Sequence, residues 1–480
     1  MCSSSSYKHG STNYLVSLTA RIYGVGRNHV ERLVKERGVV ISIYGLGYIG
    51  LASVAAYTSK GFRVVGYDPS RERVSQIENG SIKHPDPVVR DIVSRAYREG
   101  LLEIVEDGVE ASRRGDVKLV DVPLSWGSRG PVFRYLDSAV ESISMGLSRG
   151  DIVVIETTTP PGVTGSRVRR ILEEGSGLVC GRDFGLSYSP MRISVERAYE
   201  DLVRKYPKIV GGVDRDSPEI LSILFKEVYE AGFIIMSSST AAEFEKIAEG
   251  IYRDANIAIA NELARAAREL GVDIWEVIMV SRTNPYISIH NPGSGVGGVS
   301  LPYQPYLLAW SIARRWIWDS TIIRARRANE EQPGYIAGLL MEGLGIIGVN
   351  PEEARVAILG LAYKGDVSDH RNSPTYGIAG HLVRRGVTRI AIHDPYVKEQ
   401  IDGVKTTADL EEALRGASGV VISTDHSLYR RLAIEEITRI SGEKRIAIVD
   451  ARRIIDTSKK NRFGDIKCIY TTPGTPWMEC

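Results

Sequence analysis

Three glycines and an acid make the first chemical statement in this chain. Gly45-Leu46-Gly47-Tyr48-Ile49-Gly50 follows directly on an apolar, β-branched run, residues 39–44, and opens a helical pattern that reaches Lys60. The first glycine suits a tight turn, the second lets backbone approach a pyrophosphate, and the third lets the helix close on the strand. The helix N-terminus adds unpaired N–H groups and a partial positive charge for the phosphates. Asp68 ends the next β-branched run, residues 63–68, at the spacing where an acid accepts ribose hydroxyls. An acid there favours NAD over NADP, whose extra phosphate it repels. With Tyr48, Ile49, Arg73, Pro123 and Glu156 these residues form the expected cofactor set. A glycine turn without a cofactor is the plainer alternative.

Other constellations lie further along. On a long helical pattern, residues 239–270, Lys246, Gly250 and Arg253 fall on one face through spacings of four and three. The loop Gly293-Ser294-Gly295-Val296-Gly297-Gly298, with Ser300 close behind, either lets backbone approach a sugar ring or makes a flexible turn. Lys364 and Arg371 are suitable donors for a diphosphate. By themselves they read equally as a solvated charged turn. His84, His370, His393 and His426 lack metal-ligand spacing and are expected to be satisfied or solvated, so no metal site is expected. Trp310, Trp316 and Trp318 recur at near-helical spacing and are expected in the core. Asp394 ends a strand as Asp68 does, but Gly360 lacks companion glycines, and a structural role is expected.

The elements that must position these residues alternate. Strand patterns at residues 39–44, 63–68, 117–122, 152–155 and 207–212 are separated by helical stretches, which implies a parallel sheet covered on both faces. An all-helical middle follows, and the alternation restarts at residues 355–360, 389–392, 419–422 and 446–449. The expected division is an N-terminal extension (1–37), a Rossmann-type NAD domain (38–213), a central helical domain (214–348) and a Rossmann-like domain (349–480). The 61 basic and 59 acidic residues nearly cancel, which argues against a nucleic-acid or membrane-surface partner. Residues 38–59 carry no charge, yet their glycines, serines and tyrosines read better as strand, turn and helix than as a membrane span. No secretory signal pattern opens the chain, and a cytoplasmic location is expected. Four cysteines, Cys2, Cys180, Cys468 and Cys480, are too few and too scattered for a disulfide scaffold or a zinc site.

The ordered blocks resemble the UDP-glucose/GDP-mannose dehydrogenase family, the nucleotide-sugar 6-dehydrogenases. Its markers are the glycine fingerprint, Glu156-Thr157-Thr158-Thr159-Pro160-Pro161-Gly162-Val163-Thr164, the helix Arg253-x-x-Asn256 through Asn261-Glu262-Leu263, and Gly360-Leu361-Ala362-Tyr363-Lys364 followed by Asp369-x-Arg371-x-Ser373-Pro374. Residues 172–178, Ser189-Pro190-x-Arg192 and Pro302-x-x-Pro305-Tyr306 resemble the branch that oxidises UDP-N-acetylmannosamine or UDP-N-acetylglucosamine. The resemblance implies oxidation of a UDP-sugar C6 alcohol with NAD and a homodimer built on the central helix. It also implies a C-terminal domain that holds the UDP-sugar. Thr158 and Lys246 match active-site positions, and Arg192, Arg253, Gly293, Gly297, Gly298, Lys364 and Arg371 match substrate contacts.

The resemblance breaks at the reacting centre. The family carries its nucleophilic cysteine in a loop of the form Gly-x-Gly-Gly-His-Cys-Ile-Pro-x-Asp-Pro-Tyr. Here Val299 stands for the histidine, Ser300 for the cysteine and Gln304 for the aspartate. Met191 replaces a glutamate, Gly250 an asparagine, and Leu124-Ser125 the usual Thr-Pro. Oxidising an alcohol through to an acid needs a nucleophile that holds the aldehyde as a covalent adduct, and an unassisted serine is poor at this. Three readings remain: a serine-based four-electron oxidation, a two-electron oxidation ending at the aldehyde, or an inactive homologue that binds NAD or the nucleotide sugar and pairs with an active paralogue.

Overall fold

The computed structural model describes residues 21–397, 405–457 and 466–480. Two compact units emerge, one of residues 1–124 and 132–243, the other of residues 125–131 and 244–480.

In the first unit, runs of Val and Ile that are buried on both faces make strands, as a sheet sandwiched between helix layers requires. The sheet has eight strands in the spatial order Phe233–Met236, Lys208–Gly212, Gly185–Tyr188, Ile152–Ile155, Val117–Val120, Val40–Tyr44, Arg63–Tyr67 and Leu102–Ile104. Every pairing is parallel except that between Gly185–Tyr188 and Lys208–Gly212. The strand order reverses around Val40–Tyr44, and ligands of open α/β sheets bind at such a reversal, beyond the carboxyl ends of the strands.

Two boundaries differ from expectation. The sheet does not close with Lys208–Gly212; Phe233–Met236 pairs onto it and carries the unit past residue 213. The described part of the extension is also built into this unit. Ile22 and Tyr23 donate their N–H groups to the Gly150 carbonyl, Ile22 is fully buried, and the helix Arg27–Lys35 packs on the helix Asp216–Val228. Arg21 joins a charged cluster at the amino ends of the strands, where its guanidinium bonds Asp151 and its backbone N–H bonds Asp116. The wholly buried Lys118 ammonium lies 2.6 Å from Asp151, and burial holds its pKa below the usual lysine range. Behind a serine-rich, polar start, residues 21–37 show no apolar period long enough to betray such docking.

The second unit joins the helical segment to the second sheet. Seven strands run in the order Lys405–Thr407, Arg389–His393, Arg355–Leu359, Gly419–Ile422, Arg445–Asp450, Lys467–Thr471 and Met478–Glu479, the last antiparallel. The helix Thr321–Ile347 lays Ile336, Leu340 and Leu344 into one core with Val356, Ile358 and Val449 of the sheet. The predicted long helix is continuous over Ser239–Glu269. It is tied to Thr321–Ile347 by buried polar bonds: Arg326 to Asp254 at 2.7 Å, and Asn329 to the Asp254 carbonyl at 2.7 Å and to Asn261 at 3.1 Å. These groups are paired with one another because each would otherwise be buried unsatisfied.

The cysteines make one pairing that the sequence does not announce, and one expectation about side chains fails. Cys468 and Cys480 are joined in a disulfide, which fastens the last residues to the strand Lys467–Thr471. The tryptophans are not core: Trp310, Trp316 and Trp318 are 43%, 60% and 38% exposed. Their spacing looked helical, but the helix Gln304–Ile312 ends at Ala313 in the left-handed region, and a separate short helix, Arg315–Trp318, follows. Cys180 is free and buried, with its thiol pushed up to about 12 by burial, as befits an inert cysteine. Among the described residues no helix is long and apolar enough to cross a membrane, and no cluster of His, Cys, Asp or Glu could hold a metal ion.

Candidate functional site

The fingerprint turn sits where the first strand hands over to the helix Tyr48–Thr58. Gly45 has φ +96°, and a Cβ there would lie 2.6 Å from the Asp121 carbonyl oxygen. At Gly50 a Cβ would lie 1.8 Å from the Gly45 oxygen, so only glycine lets the helix come this close. Gly47 is different. It caps the helix with no side-chain bond, and a Cβ there would meet only the Arg73 guanidinium, at 4.0 Å. The protein interior thus accounts for Gly45 and Gly50 but leaves the space over Gly47 and the helix N-terminus to a ligand. A pyrophosphate fits that space by charge and by the N–H groups that face it. Asp68 accepts the Leu46 N–H at 2.8 Å and pairs with Arg73 at 3.1 Å, which brings the turn, the acid and Arg73 into one cluster. His84 was not among the site residues, yet it braces this turn. Its Nδ1 accepts the Asp86 N–H at 3.0 Å, so Nε2 carries the proton to the Tyr48 carbonyl at 2.9 Å.

Glu156 lies elsewhere than expected. Its carboxylate is buried and turned into the interior, ion-paired with Lys208 and accepting the Ser53 hydroxyl at 3.2 Å. It supports the ends of the strands. The same Ser53 hydroxyl bonds Asp121 at 3.0 Å, and burial together with Glu156 raises the Asp121 carboxyl well above its usual range. Met191, where the resemblance predicts a glutamate, brings its sulfur to 3.1 Å from the Lys208 ammonium. Arg192 next to it stacks on Tyr206, 5.6 Å from the ring centroid.

The threonine loop is held rigidly. Thr157 Oγ1 donates to the Val122 carbonyl at 2.9 Å and accepts the Val122 N–H at 3.2 Å, which ties it to the segment leading into Pro123. Thr159 and Thr164 donate their hydroxyls to Glu243 at 3.1 and 2.6 Å, and the Gly162 and Thr164 N–H groups bond the same carboxylate. Thr158 is the member left partly exposed. Glu243 went unnoticed in the sequence, since one acid on a long amphipathic helix looks like any solvated acid.

In the second unit the glycine loop is anchored at both ends. Asn261 accepts the Gly293 N–H at 2.9 Å, and Gln332 donates to the Gly293 carbonyl at 2.9 Å. Gly298 donates its N–H to the Arg371 carbonyl at 2.9 Å. A Cβ at Gly297 would lie 2.5 Å from the Tyr363 Cβ. Asn372, in the left-handed region at φ +54°, bonds the Gly298 carbonyl at 2.9 Å and the Tyr303 hydroxyl at 2.8 Å. Gly293, Gly297 and Gly298 thus lie with the Tyr363–Asn372 block, which includes Lys364 and Arg371. Arg371 is held by Asp369 through two bonds of 2.8 and 2.6 Å, which aims its fork. Lys364 is half-buried, Lys246 is half-buried on the long helix, and Arg253 is exposed on it. Burial, Arg253 and Arg282 hold the His290 pKa below the usual range.

Ser300 sits at the foot of the helix Gln304–Ile312. Its hydroxyl oxygen accepts the Gln304 Nε2–H at 3.0 Å. A carboxamide is no base, so this contact does not activate the serine as a nucleophile.

Comparison with known proteins agrees with these two halves. Residues 39–229 match the NAD binding domain, residues 240–331 the central domain and residues 357–457 the UDP binding domain of the UDP-glucose/GDP-mannose dehydrogenase family. The UDP-N-acetyl-D-mannosamine dehydrogenase of Pyrococcus horikoshii is 36% identical over 86% of this chain and 96% of its own length. A solved structure of the UDP-D-ManNAc dehydrogenase from the same organism superimposes with a TM-score of 0.83 at 33% identity, covering 91% of this chain and 99% of that one. An NDP-N-acetyl-D-galactosaminuronic acid dehydrogenase from Methanosarcina mazei Go1 superimposes with a TM-score of 0.79 at 28% identity, covering 93% and 98%.

Proposed function

The chain belongs to the UDP-glucose/GDP-mannose dehydrogenase family and uses NAD, and on that premise we propose that it oxidises the C6 alcohol of a UDP-N-acetylhexosamine of the mannosamine type. The observation that carries the sugar assignment is the 36% identity to a UDP-N-acetyl-D-mannosamine dehydrogenase over nearly the whole of both chains. The helix N-terminus at Gly47 and the ribose acid Asp68 hold NAD, with Tyr48, Ile49, Arg73 and Pro123 around them. NAD, when bound, supplies the hydride acceptor. Lys364 and Arg371 bind the diphosphate; the loop Gly293–Gly298 lies against the sugar, with Arg192 and Arg253 as further contacts. Lys246, or a water on Thr158, takes the proton from the C6 hydroxyl.

The balance is one alcohol and one NAD giving one aldehyde, one NADH and one proton. The Ser300 hydroxyl, bound to a carboxamide, does not carry the second oxidation, so the reaction ends at the aldehyde. Purified chain, NAD and UDP-N-acetylmannosamine decide this by stoichiometry. One NADH per sugar with a trappable aldehyde is expected. Two NADH per sugar would restore the four-electron reaction, and binding of the UDP-sugar without turnover would make the chain an inactive homologue.

The functional form is a homodimer through the central helix. Tyr252, Ile259 and Leu263 form an exposed apolar stripe there, continued by Leu270 just past the helix end, which sedimentation of the purified chain tests. The division of labour gives NAD to the unit of the first sheet, dimerisation to the long central helix and the UDP-sugar to the domain of the second sheet, in the cytoplasm.

A further inference from the structure

Gly250 poses a problem that its backbone does not explain. It lies inside the long helix Ser239–Glu269 without a positive φ, and a glycine in a helix interior is a weak helix former, about 1 kcal/mol worse than alanine. Space explains it. A Cβ at Gly250 would fall 1.2 Å from Gln304 Oε1, so the glutamine carboxamide occupies the volume any side chain at 250 would need. Gln304 is only 3% exposed, its Nε2 bonds Ser300 Oγ at 3.0 Å, and its Oε1 has no hydrogen-bond partner. A buried carboxamide with one unsatisfied atom is held there by fit and not by its own bonding. Because the Ser300 oxygen accepts from Nε2, its own O–H points away from Gln304 as a donor.

We infer that Gln304 is a positioning residue for Ser300: seated in the notch that Gly250 leaves on the long helix, its carboxamide orients the Ser300 hydroxyl as a hydrogen-bond donor to the substrate's C6 oxygen. The serine polarises the C6 oxygen as the alcohol becomes an aldehyde and forms no covalent bond with it. The inference rests on the functional reading above and adds the residues that set its outcome. Gly250, Gln304 and Ser300 form one interdependent group, so Ser300→Cys by itself yields no second NADH.

The test measures kcat and KM with NAD and UDP-N-acetylmannosamine, together with NADH per sugar. Ser300→Ala and Gln304→Ala each lower kcat on the order of tenfold, the scale of one lost hydrogen bond, and leave KM for the sugar within about twofold. Gly250→Ala does the same by expelling the carboxamide. The double variant Gly250→Asn with Gln304→Ala delivers a carboxamide from the helix side and returns kcat to within about threefold of wild type. Gln304→Glu turns the donor into an acceptor, so its kcat falls as pH rises through the carboxyl range, which a merely structural role does not produce. The seating is also read without cofactor or substrate: a thermal-unfolding cycle of Gly250→Ala and Gln304→Ala shows strong coupling. Wild-type chain that makes no NADH overturns the functional reading, and the donor role with it. An active wild type whose kcat survives Gln304→Ala, or whose Ser300→Ala loses a thousandfold or more as a nucleophile would, overturns the inference alone.

Discussion

The two sheets make the same turn and use it differently. At the end of Val40–Tyr44, Gly45 at φ +96° donates its N–H to the Tyr67 carbonyl, and Leu46 donates to Asp68 on the neighbouring strand. At the end of Arg355–Leu359, Gly360 at φ +102° donates to the His393 carbonyl, and Leu361 donates to Asp394 on the neighbouring strand. There the likeness ends. After Gly45 a helix begins at Tyr48, and its N-terminus points into the ligand space; after Gly360 the chain wanders to Pro374 before its helix begins. Asp394 is also consumed: Ala362 N–H bonds it at 2.8 Å and the buried His426 Nε2 at 3.0 Å. The first turn offers helix and acid to a dinucleotide, whereas the second closes on itself and extends Tyr363 to Asn372 as a platform. One glycine and one acid therefore make a turn; the companion glycines make a cofactor site.

The strongest test of the shared part is steric. Gly45→Ala drives a Cβ to 2.6 Å from the Asp121 carbonyl oxygen, and Gly360→Ala drives one to 2.3 Å from the Thr424 Cβ. Each should cost roughly 3 kcal/mol or more in urea unfolding, beyond ordinary overpacking because backbone or φ strain is added. Retained stability in either would break the likeness.

Next comes the acid that only the second turn consumes. Burial alone would raise the Asp394 carboxyl, but the hydrogen bonds from His426 and Ala362 hold it at about 2. With a folded pKa below the unfolded value near 3.8, its contribution of roughly 2 kcal/mol is present above pH 4 and is lost as pH falls toward 2. His426→Ala should remove most of it at neutral pH and flatten that acid limb, as pH-dependent unfolding of the two proteins would show.

The difference in ligand use is sharpened by Gly47→Ala. Its Cβ meets nothing closer than Arg73, so the melting temperature should hold while NAD affinity falls roughly tenfold in calorimetry. A loss of stability comparable to that of Gly45→Ala would mean that Gly47 also serves the fold. The smallest effect is expected for Arg73→Ala. Its guanidinium is half exposed beside Asp68, so unfolding should shift by no more than about 0.5 kcal/mol and NAD affinity by less than threefold.

Legibility followed the range of the interactions involved. Strands such as Ile152–Ile155 and Gly419–Ile422 were read to the residue, because an unbroken β-branched run between turn signals has few other uses in an α/β chain. Gly185–Tyr188 and Leu102–Ile104 were missed because they are short and contain Gly, Ser or Glu. Glu156 was expected at the cofactor, but which way a strand-end side chain turns depends on Ser53 and Lys208, far away in the chain. Glu243 and Asn372 were invisible for the same reason: each works through groups that the fold brings to it. The tryptophans misled because a helix break at Ala313 leaves no apolar trace.

By itself the sequence determined the two α/β sheets, the helical middle, the fingerprint turn and the absence of a thiol from the loop around Ser300. All of these are encoded in residue types within short windows, where steric and hydrophobic preferences act locally. Only the tertiary structure decided that Gln304 fills the notch at Gly250 and holds Ser300, and that Glu156 faces Lys208. Close packing is the reason: which atoms share a volume depends on segments tens of residues apart, and a missing Cβ acquires meaning only from what occupies its place.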